Sequence, residues 1–188
     1  MFDYLQKYSD KIERYSIDEC FIDYTDSVKL FGDPLDIAYK IKNDIKEILG
    51  FTVNVGVGNN KLCAKMASDF SKPDKVHTLF SDEIEQKMWP LPVTDLFMIG
   101  KKTSEKLINL GIKTIYDLAN TDEDMLVKIF KSMGKMMHEY ANGIDNSLVE
   151  YEYAGPKSIS SSSVLPYDCD NKEELLKVFT QYGYDMDN

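Results

Sequence analysis

Arginine is almost absent from this chain of 188 residues, Arg14 being the only one, and no apolar run approaches the ~18 residues that a membrane span requires. Lysine and backbone amides would therefore carry any contact with phosphate groups. Cysteine is scarce and odd in number: Cys20, Cys63 and Cys169 are widely spaced without a Cys-x-x-Cys pair, which argues against a disulfide framework and a zinc site. The two histidines, His77 and His138, have no metal-ligand spacing to each other or to a cysteine. The start, Met1-Phe2-Asp3-Tyr4, lacks the basic-then-apolar order of a signal peptide, so a cytoplasmic location is the expectation. Basic charge is in deficit, 22 Lys and Arg against 32 Asp and Glu for a net of -10, which opposes strong non-specific binding of nucleic acid by the chain as a whole. Local lysines can still bind phosphate. With 43% hydrophobic and 12% aromatic residues, the chain can bury one ordinary core or two small ones.

The most informative stretch is Tyr15-Ser16-Ile17-Asp18-Glu19-Cys20-Phe21-Ile22-Asp23. Its apolar flanks predict a buried strand, and a buried strand does not carry two adjacent acids for stability. Taken alone, such a pair more often marks a bulge or a strand end facing water. A divalent metal at the rim of a sheet is the other answer to two carboxylates side by side. Asp23 reads as structural.

Upstream, Phe2, Leu5, Tyr8 and Ile12 predict a short amphipathic helix within residues 1 to 14. Downstream, Asp33 as N-cap and Pro34 at the first helical position open a helix over 34–49, closed by Gly50. Alternation predicts a strand over 51–58, whose glycines permit close approach, then a helix over 61–70 and a strand over 76–80. Trp89-Pro90-Leu91-Pro92 interrupts the pattern, and residues 91 to 150 read as helices only: 93–97, 102–110, 115–118, 122–130 and 135–141. Met98-Ile99-Gly100-Lys101 is a tight turn with glycine permitting a positive φ, and the helix start behind it is a phosphate site ringed by Lys101, Lys102, Lys106 and Thr103. Tyr151 to Pro156 reads as a linker, Lys157 to Ser163 as extended, Pro166 to Asp170 as a turn, and 171–181 as a helix. The class is α+β.

Ser16-Ile17-Asp18-Glu19-Cys20-Phe21-Ile22-Asp23 resembles the S-I-D-E-A-F-L-D strand of Y-family translesion DNA polymerases of the ImpB/MucB/SamB type. The resemblance continues through Val55 to Ser68, similar to the family's G-I-(G/A)-x-N-K-x-x-A-K-x-A-(A/S) segment, and through Ser71-Lys72-Pro73, similar to its A-K-P. Residues 98 to 107 resemble the thumb's G-I-G-x-x-T-x-x-K-L with Met98 at the first glycine, Ser132-Met133-Gly134-Lys135 resembles a second, weaker hairpin, and Lys157-Ser158-Ile159 the opening of the little finger.

The resemblance implies a partial ferredoxin-like palm over 1–90, a mainly antiparallel sheet with helices on one face in which the acidic strand is central. A helical thumb with a helix-hairpin-helix over 91–150 and the truncated start of a little finger over 151–188 follow. It implies template-directed nucleotidyl transfer in translesion synthesis and DNA repair, with primer-template DNA and deoxynucleoside triphosphates as partners. A sliding clamp would bind through regions outside these residues. Two Mg2+ ions would be held by the catalytic Asp18 and Glu19, the nucleotide triphosphate by Lys72, and the DNA backbone by Ile99, Gly100, Lys102, Thr103, Lys106, Gly134 and Lys135. Nothing before Tyr15 matches the family's D-x-(D/N)-x-F-(F/Y) strand, so activity is expected of a full-length protein and not of these residues alone. A non-catalytic helix-hairpin-helix module on a ferredoxin-like scaffold is the alternative, and a nucleotide cyclase a more distant one.

Overall fold

The computed structural model describes residues 1–152, 160, 164–165 and 167–186. The chain divides into two compact units, Met1–Glu152 and Tyr153–Asn188. The extended segment expected over Lys157 to Ser163 lies, apart from Ser160, outside the described residues, as does Pro166.

Helix α1 spans only Phe2–Leu5, and the chain then reverses into β1, Ile12–Arg14. The helix expected through Ile12 fails because Ser9 turns the chain: its Oγ donates to Asp23 O at 2.7 Å and accepts from Lys11 N at 3.1 Å. Such local side-chain bonds compete with helix propagation. Strand β2, Cys20–Ile22, pairs antiparallel with β1, Ile12 facing Ile22 and Arg14 facing Cys20. A 3-10 turn at Thr25–Ser27, begun by Thr25 N donating to Asp23 Oδ1 at 3.0 Å, leads into α2, Val28–Phe31.

Helix α3, Pro34–Asp44, begins where the sequence places it, with the Asp33 carboxylate accepting from Leu35 N and Asp36 N. It widens into a π turn at Ile45–Leu49, closed by Gly50 at φ 77°. Strand β3 is Val55–Gly58, half the length expected, and α4, Lys61–Asp69, is capped by Asn60 Oδ1 accepting from Cys63 N at 2.8 Å. Strand β4, Val76–Leu79, lies parallel to β3 with α4 as the crossover. The α+β arrangement thus holds, with one antiparallel and one parallel ladder among the described residues.

Beyond Pro92 the first unit is helical: a 3-10 turn at Val93–Asp95 in place of the helix over 93–97, then α5 (Lys101–Asn109), α6 (Ile115–Ala119), α7 (Glu123–Phe130) and α8 (Ser132–Ala141). In the second unit α9 spans Lys172–Met186.

One core runs through the Trp89–Pro92 boundary. Leu62 and Met66 of α4 join Leu79 and Met88 to Leu107, Leu118 and Leu126 of the helical part. Each fully buried leucine contributes about 1.5–3 kcal/mol. A smaller cluster holds Leu5, Tyr8, Ile41 and Ile45 over the β1–β2 hairpin. After α8 the chain is pinned back: Asn60 Nδ2 donates to Gly143 O at 2.8 Å, and Leu62 N to Asp145 Oδ2 at 3.1 Å. Cys20 and Cys63 are free thiols, both pushed up to about 11 by burial.

Candidate functional site

The acidic pair lies at the tip of a hairpin. Tyr15 N and Ser16 N both donate to Glu19 O, at 3.0 and 3.1 Å, which ends the β1–β2 ladder after three residue pairs. Asp18 is therefore in a loop and not in a buried central strand, and Ile17 beside it is 96% exposed. Two adjacent carboxylates leave a sheet interior because their desolvation exceeds what Ile17 would gain by burial. The Ser16 hydroxyl, donating to Asp18 Oδ1 at 2.8 Å, stabilises the turn instead. Tyr15 packs edge-on against Phe21, ring centroids 5.4 Å apart, and holds the base of the loop.

Helix α4 and the turn after it bring a row of alternating charge to this loop. Lys65 Nζ donates to Glu19 Oε1 at 2.6 Å and lies 3.2 Å from Asp69 Oδ2, while Lys72 Nζ is 2.8 Å from Asp69 Oδ1. Burial works against the Lys65 charge, yet hydrogen bonds to Glu19 and Asp69 outweigh it and hold the ammonium above the ordinary lysine range. Burial likewise opposes ionisation of Asp69, and hydrogen bonds from Lys72 and Lys65 hold it below the usual carboxylate range. The row borders an open cleft of about 1320 Å³, lined also by Asp18 and Lys61. On its far side Lys61 Nζ donates to both Glu13 oxygens, at 2.8 and 2.6 Å, and Glu13 Oε2 accepts from Glu150 N at 2.8 Å, which ties the chain after α8 to β1.

Carboxylate oxygens suit a hard cation such as Mg2+, and Asp18 keeps most of its lone pairs free beside the cleft. Among the described residues no three His, Cys, Asp or Glu side chains converge as a complete ligand set. The pair therefore fits a hard divalent cation that takes its remaining ligands from elsewhere, such as phosphate oxygens or water.

The second expected site is the turn before α5. Positive φ falls on Met98, at 70°, whereas Gly100 is extended at φ -81° and serves as N-cap. The glycine was expected to supply the left-handed residue; Met98 does so, with its side chain turned to solvent. Gly100 has another use: a Cβ there would meet nothing within 4 Å, so the chain leaves open space at an uncapped helix start. Ile99 is a buried anchor whose N–H already donates to Leu96 O at 3.0 Å. Lys101 and Lys102 are exposed in the first turn, and the Lys106 ammonium sits 5.2 Å from the Phe130 ring centroid.

Ser132 to Lys135 are not a second hairpin turn but the first turn of α8; the reversal falls on Lys131, at φ 61°. Gly134 is needed for packing, since a Cβ there would lie 2.3 Å from Leu126 O. Thr103 Oγ1 lies 3.9 Å from Met133 Sδ, so the starts of α5 and α8 are neighbours. Neither carries a side-chain cap. Lys101, Lys102, Lys131 and Lys135 all stand exposed around them.

Sequence reasoning missed Lys65, Asp69, Lys61 and Glu13. The i, i+4 spacing of Lys65 and Asp69 marks a shared helix face, but nothing local pairs it with Glu19, 46 residues earlier.

Residues 1–69 match the impB/mucB/samB family and residues 81–112 the IMS family HHH motif. DNA polymerase IV of Clostridium acetobutylicum is 48% identical over 178 residues, covering 95% of this chain and 45% of that protein. DNA polymerase IV 1 of Bacillus subtilis is 39% identical, covering 95% and 43%. Among solved structures, DinB from Sulfolobus solfataricus matches with a TM-score of 0.70 and 31% identity over 79% of this chain and 44% of that one. The insertion ternary complex of Dbh DNA polymerase matches with a TM-score of 0.71 and 32% identity, with the same coverage. The chain thus spans less than half the length of the relatives it matches.

Proposed function

Because the chain belongs to the impB/mucB/samB family of Y-family DNA polymerases, we propose that the full-length protein carries out template-directed nucleotidyl transfer in translesion synthesis. The observation that carries this reading is the row Glu19, Lys65, Asp69, Lys72. It links Glu19 through Lys65 and Asp69 to Lys72 in one continuous set of contacts, and Asp18 lines the same cleft, which supports reading the acids as metal ligands and Lys72 as the triphosphate lysine. Residues 1–90 serve as part of a palm, 91–150 as a thumb and 151–188 as the start of a little finger, although the first two share a core.

Asp18 and Glu19 would hold magnesium, which when bound would supply positive charge to offset the charge that develops on the transferring phosphoryl group. Lys72, more than half exposed and partnered by a surface carboxylate, is free to exchange Asp69 for a triphosphate oxygen. The uncapped start of α5 and Lys102 would hold the DNA backbone without reading its sequence. No helix among the described residues is long and apolar enough to cross a membrane.

Primer extension by the full-length protein, with magnesium and one deoxynucleotide at a time, tests the reading. Extension only by the nucleotide complementary to the template is expected. DNA binding without extension would leave a non-catalytic helix-hairpin-helix module.

The thumb has its own test. Replacing Lys102 and Lys106 by alanine removes two phosphate partners, so the salt dependence of DNA affinity should flatten by roughly 0.9 per lost contact, to a similar degree on every duplex. A loss confined to one sequence, or an unchanged salt slope, would rule out backbone binding there.

A further inference from the structure

Lys65 is the least exposed member of the charge row, with 15% of its side chain accessible against 40% for Glu19, 42% for Asp69 and 56% for Lys72. Lys65 belongs to α4, whose Met66 and Ala67 are buried in the main core, so the ammonium is delivered to the acid loop by a well-anchored helix. At 2.6 Å from Glu19 Oε1 it occupies one of the positions from which a cation would engage that carboxylate. It is also shared: Asp69 Oδ2 lies 3.2 Å away and is itself held by Lys72 through the other oxygen, Oδ1.

We infer that Lys65 is a positioning residue that competes with the divalent cation for Glu19, and that Asp69 sets the strength of the competition by drawing the ammonium away. This role rests on the reading of Asp18 and Glu19 as metal ligands. A divalent ion approaching Glu19 must displace a hydrogen-bonded ammonium and then stand near its positive charge. The ion therefore binds more weakly than the two carboxylates alone would allow. Any group that takes Lys72 from Asp69 leaves that carboxylate to Lys65 alone, which favours release of Glu19. A phosphate oxygen on Lys72 would do so, and filling of the anion site and of the metal site would then be coupled in the same direction.

The two substitutions have opposite signs. Lys65→Met removes the competitor and tightens Mn2+ binding by roughly tenfold, whereas Asp69→Asn leaves Lys65 to Glu19 and weakens it by a similar factor. A lysine acting only on the general potential would shift binding whether or not Glu19 is charged; a competitor at Glu19 would not. The experiment is Mn2+ titration of the full-length protein without nucleotide, read by the loss of the free-ion electron paramagnetic resonance signal. It is run for each variant in the parent and in a Glu19→Gln background, with Asp18→Asn as control. The expected result is tightening by Lys65→Met in the parent and none in the Glu19→Gln background. No tightening, or the same shift in both backgrounds, overturns the role of Lys65. Should Lys65→Met melt far below the parent, the Asp69→Asn pair decides by the same criterion with the sign reversed. If Asp18→Asn and Glu19→Gln both leave Mn2+ binding unchanged, the metal site itself falls, and the role of Lys65 with it.

Discussion

Replacing Asp18 by alanine in the full-length protein should lower primer extension by roughly 10³-fold or more while leaving DNA affinity within about twofold, since a lost metal ligand removes several kcal/mol of transition-state stabilisation. The asymmetry between the acids follows from their surroundings. Asp18 is exposed at the loop tip, with the Ser16 hydroxyl on one oxygen, while Glu19 is already engaged by Lys65. On the proposed reading, Asp18 is the carboxylate that a metal would meet without displacing a cation. Because Asp18 is outside the core and ends no ladder, its loss should change stability by no more than about 0.5 kcal/mol, which separates a chemical defect from a folding one. Single-turnover extension at fixed magnesium, beside a DNA-binding titration and a melting curve, makes the comparison. Extension at the parent rate would remove Asp18 from the metal site.

The acid loop also marks where the sequence misleads. Tyr15 to Asp23 reads as one strand because Ile17, Phe21 and Ile22 supply apolar character on either side of the acids. The chain spends only Cys20–Ile22 in the ladder and turns the acids outward. Side-chain character could not reveal that Tyr15 and Ser16 both bond back to Glu19 O. The first helix failed for a related reason. Phe2, Leu5, Tyr8 and Ile12 keep helical spacing, but a segment this short is marginal as a helix, and Ser9 finds its partner at Asp23, 14 residues away.

What could be read was what local chemistry decides: the Asp33-Pro34 start of α3, the Gly50 stop and the break in the pattern at Trp89–Pro92. The motifs singled out Asp18, Glu19 and Lys72, which the structure brings to the border of one cleft. They did not reveal the Lys65 and Asp69 bridge between them, because a long-range ion pair has no period. Nor could they show that the helical part shares a core with the strands: Leu62 and Leu118 lie on opposite sides of the proline break in sequence and in one cluster in space.

The glycines of β3 were legible as a place of close approach, and the structure turns that into a large expected effect. A Cβ on Gly56 would lie 1.9 Å from Ala64 O and 2.5 Å from Ser68 N, both backbone atoms of α4 that no side-chain rotation can move. Gly56→Ala therefore has to push α4 off β3. That helix carries Leu62, Cys63, Met66 and Ala67 into the main core and Lys65 and Asp69 to the acid loop. Overpacking against backbone of this kind costs about 3 kcal/mol or more, which for a chain of this size lowers the melting temperature by roughly 6–12 °C. Gly100→Ala is the matched control. Its Cβ would meet nothing within 4 Å and its φ of -81° suits any residue, so its melting temperature should stay within about 3 °C of the parent. If a DNA phosphate approaches the start of α5, that same silent substitution should still weaken DNA binding, because the added methyl stands in the space the phosphate needs. Melting curves of the two variants side by side decide the first point. A Gly56→Ala protein that melts with the parent would mean that α4 is not seated on β3 as described, and the charge row it positions would lose its anchor.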